Sequence, residues 1–308
     1  MKKKVFLFGL LFSLLLLCGC GVNLTSTVKL NKDFSGTRVM SCTFSSRDFH
    51  SYFKGSKEDL NKLIKESCPD ALTYTSSSSD GNDTYTFYLR FSSLDDYKKK
   101  VRDLLNFSPK ITYEYGDSPF VSGLIYKENF TSKDLMTWLY TALYEGKYID
   151  KDSSSDLWDL KSTKISFLGK TYETKDKINI DEMAYVPLSS IHIDTKTKKS
   201  GKLARVIEFD LPQQTLDQNA GKIRSYFAGN DITWENTSDG KTLCISFDAN
   251  NFSDLAQKTR TVLHSKNSFG TYSSTCSKDN PFTLKINYEE SLDCLLYTSD
   301  AADDRISV

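Results

Sequence analysis

Residues 22 to 130 alternate between two apolar spacings, and that alternation predicts the elements. Val22 to Leu30 and Val39 to Phe44 place apolar residues at every second position on either side of Ser35-Gly36, the pattern of a hairpin. Ser56, with Asp59 three places on, opens a helix whose stripe is Leu60, Leu63 and Ile64 and whose end is marked by Pro69. A second hairpin turns at Asp80-Gly81, with Tyr85, Phe87, Leu89 and Phe91 on one face of its return strand. Ser93 then caps a helix carrying Leu94, Tyr97, Val101, Leu104 and Leu105 on one side. A further strand ends at Phe130, and Thr131 with Asp134 opens another helix, Phe130 and Leu135 standing at staple spacing.

Much of this pattern recurs downstream. At an offset of 158 the alternating run returns as Leu243, Ile245, Phe247 and Ala249. The same offset carries Ser93-Leu94-Asp95-Asp96 onto Asn251-Phe252-Ser253-Asp254, and Leu104-Leu105 onto Val262-Leu263. Small shifts match Leu72-Thr73-Tyr74 with Ile232-Thr233-Trp234, and Asp80-Gly81 with Asp239-Gly240. They also match Ser35-Gly36 with Ser200-Gly201, Phe44 with Phe209, and Pro119-Phe120 with Pro281-Phe282. Strands with one apolar face and helices with one apolar stripe must cover each other. The fold expected is therefore α+β: two tandem copies of a ββαββα-type module, antiparallel sheets with helices packed on one face. The first copy runs 20–145 and the second 189–293, ending before its last helix. Between them, 146–188 reads as a linker in which Asp152 to Asp156 is polar loop and Ile165 to Thr174, around Gly169, is one more hairpin.

The two ends read differently. Lys2, Lys3 and Lys4 precede an apolar run from Val5 to Leu17, too short for a membrane-spanning helix, and residues 1–19 read as a secretory signal. Leu17-Cys18-Gly19-Cys20 resembles the bacterial lipobox. That resemblance makes Cys20 the new N-terminus and the lipidation site, its thiol carrying a diacylglyceryl group and its amine a further acyl chain. Two or more chains give stable anchoring where one does not. The expected location is the extracytoplasmic face of the cell membrane, the membrane being a partner through the N-terminal lipid. Cys294 to Asp304 resembles a translated sequencing adapter, so 294–308 is read as an artefactual tail, with the natural chain cut near Asp293.

The order lipobox, short strand, Ser-Gly turn, second strand, here Thr27-Val-Lys-Leu-Asn-Lys-Asp-Phe-Ser-Gly-Thr-Arg-Val, is similar to the LppM-like bacterial lipoproteins. The likeness covers the first copy. It implies a lipid-anchored α+β domain without known catalytic chemistry and carries over no functional residues.

Charge narrows the partners. The 308 residues hold 40 basic and 40 acidic side chains, and without Lys2, Lys3, Lys4, Arg305, Asp300, Asp303 and Asp304 the balance is 36 to 37. A chain this neutral lacks the basic surplus that phosphate contacts require, so no nucleic-acid partner is expected. An envelope protein or cell-wall component is.

Candidate chemistry is sparse. Of seven cysteines, Cys18 falls in the signal, Cys20 is the acylation site and Cys294 lies in the tail. Cys42, Cys68, Cys244 and Cys276 remain for possible disulfides, with Cys42–Cys68 and Cys244–Cys276 nearest in sequence, although Cys42 reads first as a small core residue. His50, His192 and His264 stand far apart. Asp150, Asp152 and Asp156 imitate the start of a calcium loop, but Ser155 replaces its glycine and Lys161 its glutamate. No catalytic motif, cofactor loop or metal spacing is present, so catalytic, cofactor-binding and metal sites are all read as none. Trp138 and Trp234 read as core and Trp158 as an unexplained residue in the linker. The function expected is a non-catalytic binding or scaffolding module. A lipoprotein solute receptor closing on a small ligand between the repeats comes second, and an envelope enzyme third.

Overall fold

The computed structural model describes residues 22–46, 53–105, 107–150, 157–264, 269–276 and 284–291, side chains being described as far as His264. The signal, Cys20, His50, Asp152, Asp156, the Pro281-Phe282 match and the 294–308 tail lie outside the described residues. The fold is mixed α+β, and its sheets are mostly antiparallel. The chain divides into two compact units, 1–114 with 124–181, and 115–123 with 182–308.

In the first unit β1 (Val22–Leu30) and β2 (Gly36–Ser45) form the expected hairpin, and β3 (Thr73–Ser79) and β4 (Asn82–Phe91) the second. β2 pairs with β4, placing Met40 opposite Phe87 and Cys42 opposite Tyr85. One face of this sheet is apolar: Leu24, Val28, Met40, Phe87 and Leu89 are fully buried, while alternate residues reach solvent. Against that face lie α1 (Lys57–Ser67), α2 (Leu94–Leu105) and α3 (Thr137–Glu145), the last preceded by a 3₁₀ turn at Asp134–Met136. The Tyr85 hydroxyl donates to Asn61 of α1, and the ring of Phe87 meets Trp138 of α3 edge-on.

The helix starts follow the predicted caps. Ser56 and Asp59 form a reciprocal capping box, and burial of Leu60 and Ile64 contributes roughly 1.5–3 kcal/mol per side chain. Ser93 accepts from the Asp96 amide at 3.1 Å. Thr131 and Asp134 form a second reciprocal box, but it does not cap α3 as expected: the 3₁₀ turn starts after Lys133 and α3 after Met136, neither with a side-chain cap. Phe130 and Leu135 are both buried, as the staple spacing requires.

The segment read as a linker belongs largely to this sheet. β7 (Trp158–Phe167) pairs with β1 in parallel, and β8 (Lys170–Thr174) turns back at Leu168-Gly169, giving the order β3-β4-β2-β1-β7-β8. The sheet is thus not wholly antiparallel. Trp158 opens β7 opposite Val22, 6% exposed, with its ring edge-on to Phe44. A tryptophan without a role in the linker is a core residue of the sheet. β5 (Ile111–Asp117) and β6 (Val121–Glu128) form a further hairpin, and β9 (Asn179–Asp181) pairs with the later residues of β6.

In the second unit β11 (Ser190–Thr197), β12 (Leu203–Pro212), β13 (Asp231–Asn236) and β14 (Gly240–Ala249) form an antiparallel sheet in the order β11-β12-β14-β13. Two short strands precede it in the chain count, β9 in the first unit and β10 (Ala184–Tyr185), which pairs with Val121 and Ser122 in the second. α4 (Gln213–Tyr226) and α5 (Phe252–Val262) supply Ile223 and Val262 to the core around Ile207, Phe209 and Ile245, while Leu255 of α5 packs with Leu203 and Ala249. The Asn251 side chain caps α5, as predicted. β15 (Phe269–Cys276) and β16 (Leu284–Ser291) pair with each other.

Phe120, assigned to the first copy, is buried in the second unit, parallel to Phe209 at 6.3 Å and tilted against Phe227. Local periodicity cannot say which core receives a hairpin tip. The ladders pair Tyr74 with Phe87 and Ile232 with Ile245, Trp234 standing opposite Leu243. They pair Met40 with Phe87 and Ile207 with Ile245. The β13/β14 turn centres on Ser238-Asp239 rather than Asp239-Gly240, since the Thr237 amide donates to Gly240.

Candidate ligand cleft

Two helices of the first unit, α2 and α3, are tied to the sheet by one buried polar cluster. Arg38 of β2 points into the core at 1% exposure and donates through Nη1 to Glu128 Oε2 at 2.7 Å and to the Tyr97 hydroxyl at 2.6 Å. Its Nη2 donates to Ser132 Oγ at 2.8 Å, and Ser132 shares a 3.1 Å hydrogen bond with Thr163 of β7. The hydroxyls of Tyr97 (2.7 Å) and Tyr126 donate to Glu128 Oε1, and the guanidinium lies 5.6 Å from the Phe130 ring. Tyr97 belongs to α2 and Ser132 leads into α3, so one cation fixes both helices to the sheet. Burial opposes its charge, but the facing Glu128 carboxylate together with Tyr97 and Tyr126 outweighs that and holds Arg38 above its ordinary value; burial raises the Tyr97 and Tyr126 hydroxyls. No water-accessible atom of this cluster offers a reaction centre. Its role is positional.

What it positions is a cleft of about 470 Å³ among α1, α2 and α3. Leu63 and Ser67 come from α1, Leu104 and Asp103 from α2, and Trp138, Thr141 and Glu145 from α3. The i, i+3, i+4 spacing of Trp138, Thr141 and Ala142 turns that stripe of α3 to the cleft, while Leu139 and Leu143 face the sheet. Trp138, expected wholly in the core, thus packs on Phe87 and also lines the cleft. Its indole Nε1 is buried without a hydrogen-bond partner.

The residues singled out by sequence do not converge. Cys42, Cys68 and Cys244 are free thiols, so neither Cys42–Cys68 nor Cys244–Cys276 is formed; the side chain of Cys276 lies outside the described residues. Cys42 sits on the core face of β2, and burial pushes its thiol up; Cys68 is the C-cap of α1, also raised by burial and then by Asp70. His192 approaches Ser190 at 3.2 Å, and His264 lies over Tyr226 and within 2.9 Å of its carbonyl. Asp150 pairs with Lys54. Among the described residues no group of acidic, histidine or cysteine side chains could hold a metal ion. Trp234 packs against the second core and receives Arg224 5.4 Å from its ring centre.

Sequence reasoning missed the Arg38 cluster and the cleft, since the partners of Arg38 are 59 to 94 positions away. The one available signal was an arginine in the alternating run of β2, at an inward position shared with Met40 and Cys42. No helix among the described residues is long and apolar enough to cross a membrane. No protein-family model matches the chain, and no curated protein matches it.

Proposed function

We propose that this is a lipid-anchored envelope protein, held at the extracytoplasmic face through Cys20 and acting as a non-catalytic binding or scaffolding module. The observation that carries this reading is the junction between lipobox and fold. Val22, two residues after Cys20, is the first residue of β1; it is buried, and its amide donates to Leu157 at 2.7 Å. Cleavage before Cys20 removes no described residue of the sheet, and two residues reach at most about 7 Å. The anchor therefore holds the first unit close to the bilayer rather than on a long tether.

The two units are read as copies of one module. Supporting this, the order β1-β2-β4-β3 in one sheet has its counterpart in β11-β12-β14-β13. The turns match bond for bond: Asn31 donates to Ser35 and Phe34 to Asn31, and Lys198 to Lys202 and Gly201 to Lys198. Phe34 and Gly201, at equal places, both have positive φ, 61° and 79°. Arg38 and Arg205, also at equal places, are both buried, and Arg205 donates to Thr259 of α5 at 2.7 Å.

The test is fractionation of bacterial cells expressing the full chain and its Cys20→Ala variant. Anchoring predicts the parent in the membrane fraction, resistant to high salt, and incorporation of an alkyne-tagged fatty acid that the variant loses. A parent chain that is released by salt and takes up no label contradicts the reading.

A further inference from the structure

We propose that the free edge of β3 pairs with the β3 edge of a second copy of this chain, antiparallel and in register about Ser76. The six-stranded sheet of the first unit ends at β3 on one side and β8 on the other, and the four-stranded sheet of the second unit ends at β11 and β13. A bare edge is a template for another strand, and charge, proline, bulges and short length are what guard against it. β8 carries Lys170 and Glu173, β11 carries His192, Asp194 and Lys196, and β13 carries Asp231 and Glu235. β3 has none of these guards: Thr73 to Ser79 hold no charge and no proline, and all of them pair with β4 without a register shift. All but the half-buried Tyr74 are exposed.

The backbone selects the occupant. Asp80 and Gly81, with φ of 52° and 74°, form a two-residue turn, so Ser79 and Asn82 exchange hydrogen bonds, as do Ser77 with Thr84, Thr75 with Thr86 and Thr73 with Tyr88. The residues between them, Tyr74, Ser76 and Ser78, turn their amides and carbonyls away from β4, where no described residue meets them. Across a two-fold axis at Ser76, that residue meets its own copy and Tyr74 meets Ser78. Every outward residue thus stands opposite an outward residue, and each pair exchanges two hydrogen bonds. The side chains match as well. Thr75 comes opposite Ser77 and Thr73 opposite Ser79, hydroxyl against hydroxyl, the pairing this sheet already uses at Ser41–Thr86 (3.1 Å) and Thr43–Thr84 (3.0 Å). A strand so uniform offers a foreign peptide little to read, whereas its own copy matches it in length, register and hydroxyl content. Such a contact uses the same patch on both copies and closes as a dimer.

This contact does not need the lipid at Cys20, so it and the anchoring reading fail separately. The strands run antiparallel across the axis, so two anchored copies share one bilayer only with the sheet lying along it; detergent removes that restraint. Sedimentation velocity of the full chain in detergent should show a dimer that forms as concentration rises. Thr75→Lys with Ser77→Lys, and Thr75→Glu with Ser77→Glu, change exposed positions and set like charges opposite each other. Each double variant alone should weaken the dimer tenfold or more, and an equimolar mixture of the two should restore it. In oxidising buffer Ser76→Cys should form an intermolecular disulfide at least tenfold faster than Ser79→Cys, because position 76 faces its own copy and position 79 faces Thr73. A parent that stays monomeric at every concentration, double variants that associate like the parent, a mixture no tighter than its components, or equal crosslinking at 76 and 79 would each overturn the proposal.

Discussion

Arg38 and Glu128 are 90 positions apart, yet their side chains meet at 2.7 Å with 1% and 0% exposure. An isolated charge at such depth would be strongly unfavourable, and the pair is supported by hydrogen bonds from or to Tyr97, Tyr126 and Ser132, although Arg38 Nε is buried without a partner. Removing one partner strands the other. Arg38→Met or Glu128→Gln should therefore cost about 3–5 kcal/mol in urea unfolding, while the Arg38→Met, Glu128→Leu double variant should recover much of that loss. Single variants within about 1 kcal/mol of the parent would show that the pair does not hold the helices.

Phe120 gives the corresponding test for the second unit. Its ring is 1% exposed between Phe209 and Phe227, so Phe120→Ala should cost about 3–5 kcal/mol. Hydrogen exchange should show faster opening of β12 and β14, with the amides of β2 and β4 unaffected. Loss of protection in β2 and β4 instead would return residues 115–123 to the first unit.

Acid sensitivity follows from the helix starts. Asp59, Asp96 and Asp254 accept backbone hydrogen bonds from Ser56, Ser92 and Asn250, which hold their carboxyls below the ordinary carboxylate value. A depressed folded-state pKa stabilises above the unfolded value of about 3.9, and that contribution is lost as pH falls through the folded value. The urea midpoint should be level above about pH 5 and fall below about pH 4. An Asp59→Asn, Asp96→Asn, Asp254→Asn variant should start lower at neutral pH and show a shallower acid fall. Parallel curves for parent and variant would exclude these three groups as the source.

Thiol chemistry separates the cysteines. Cys42 is buried with its thiol pushed up by burial, whereas Cys68 is only partly covered. Iodoacetamide should modify Cys68 well before Cys42, and Cys42, Cys68 and Cys244 should all alkylate on denaturation without reductant. A reductant requirement for any of the three would reveal a disulfide.

How far the sequence could be read depended on the range of each interaction. Ser56 with Asp59 and Asn251 with Asp254 are local devices, and both cap helices where the residue pattern put them, whereas the Thr131–Asp134 box forms ahead of α3, which starts after Met136. The hairpins β1/β2, β3/β4 and β7/β8 were legible for the same reason. The parallel pairing of Val22 with Trp158 spans 136 positions, and nothing near either residue signals it. The burial of Phe120 beside Phe209 was hidden in the same way. The cleft is harder still, because Leu63, Asp103 and Trp138 become neighbours only after three helices settle on one sheet face.

The decisive measurement is mass spectrometry of the N-terminal peptide of the protein extracted from bacterial membranes. Anchoring at Cys20 predicts a mature chain that begins at that residue and carries a thioether-linked diacylglyceryl group. An unmodified Cys20, or a peptide that still contains Leu17 to Gly19, would contradict it.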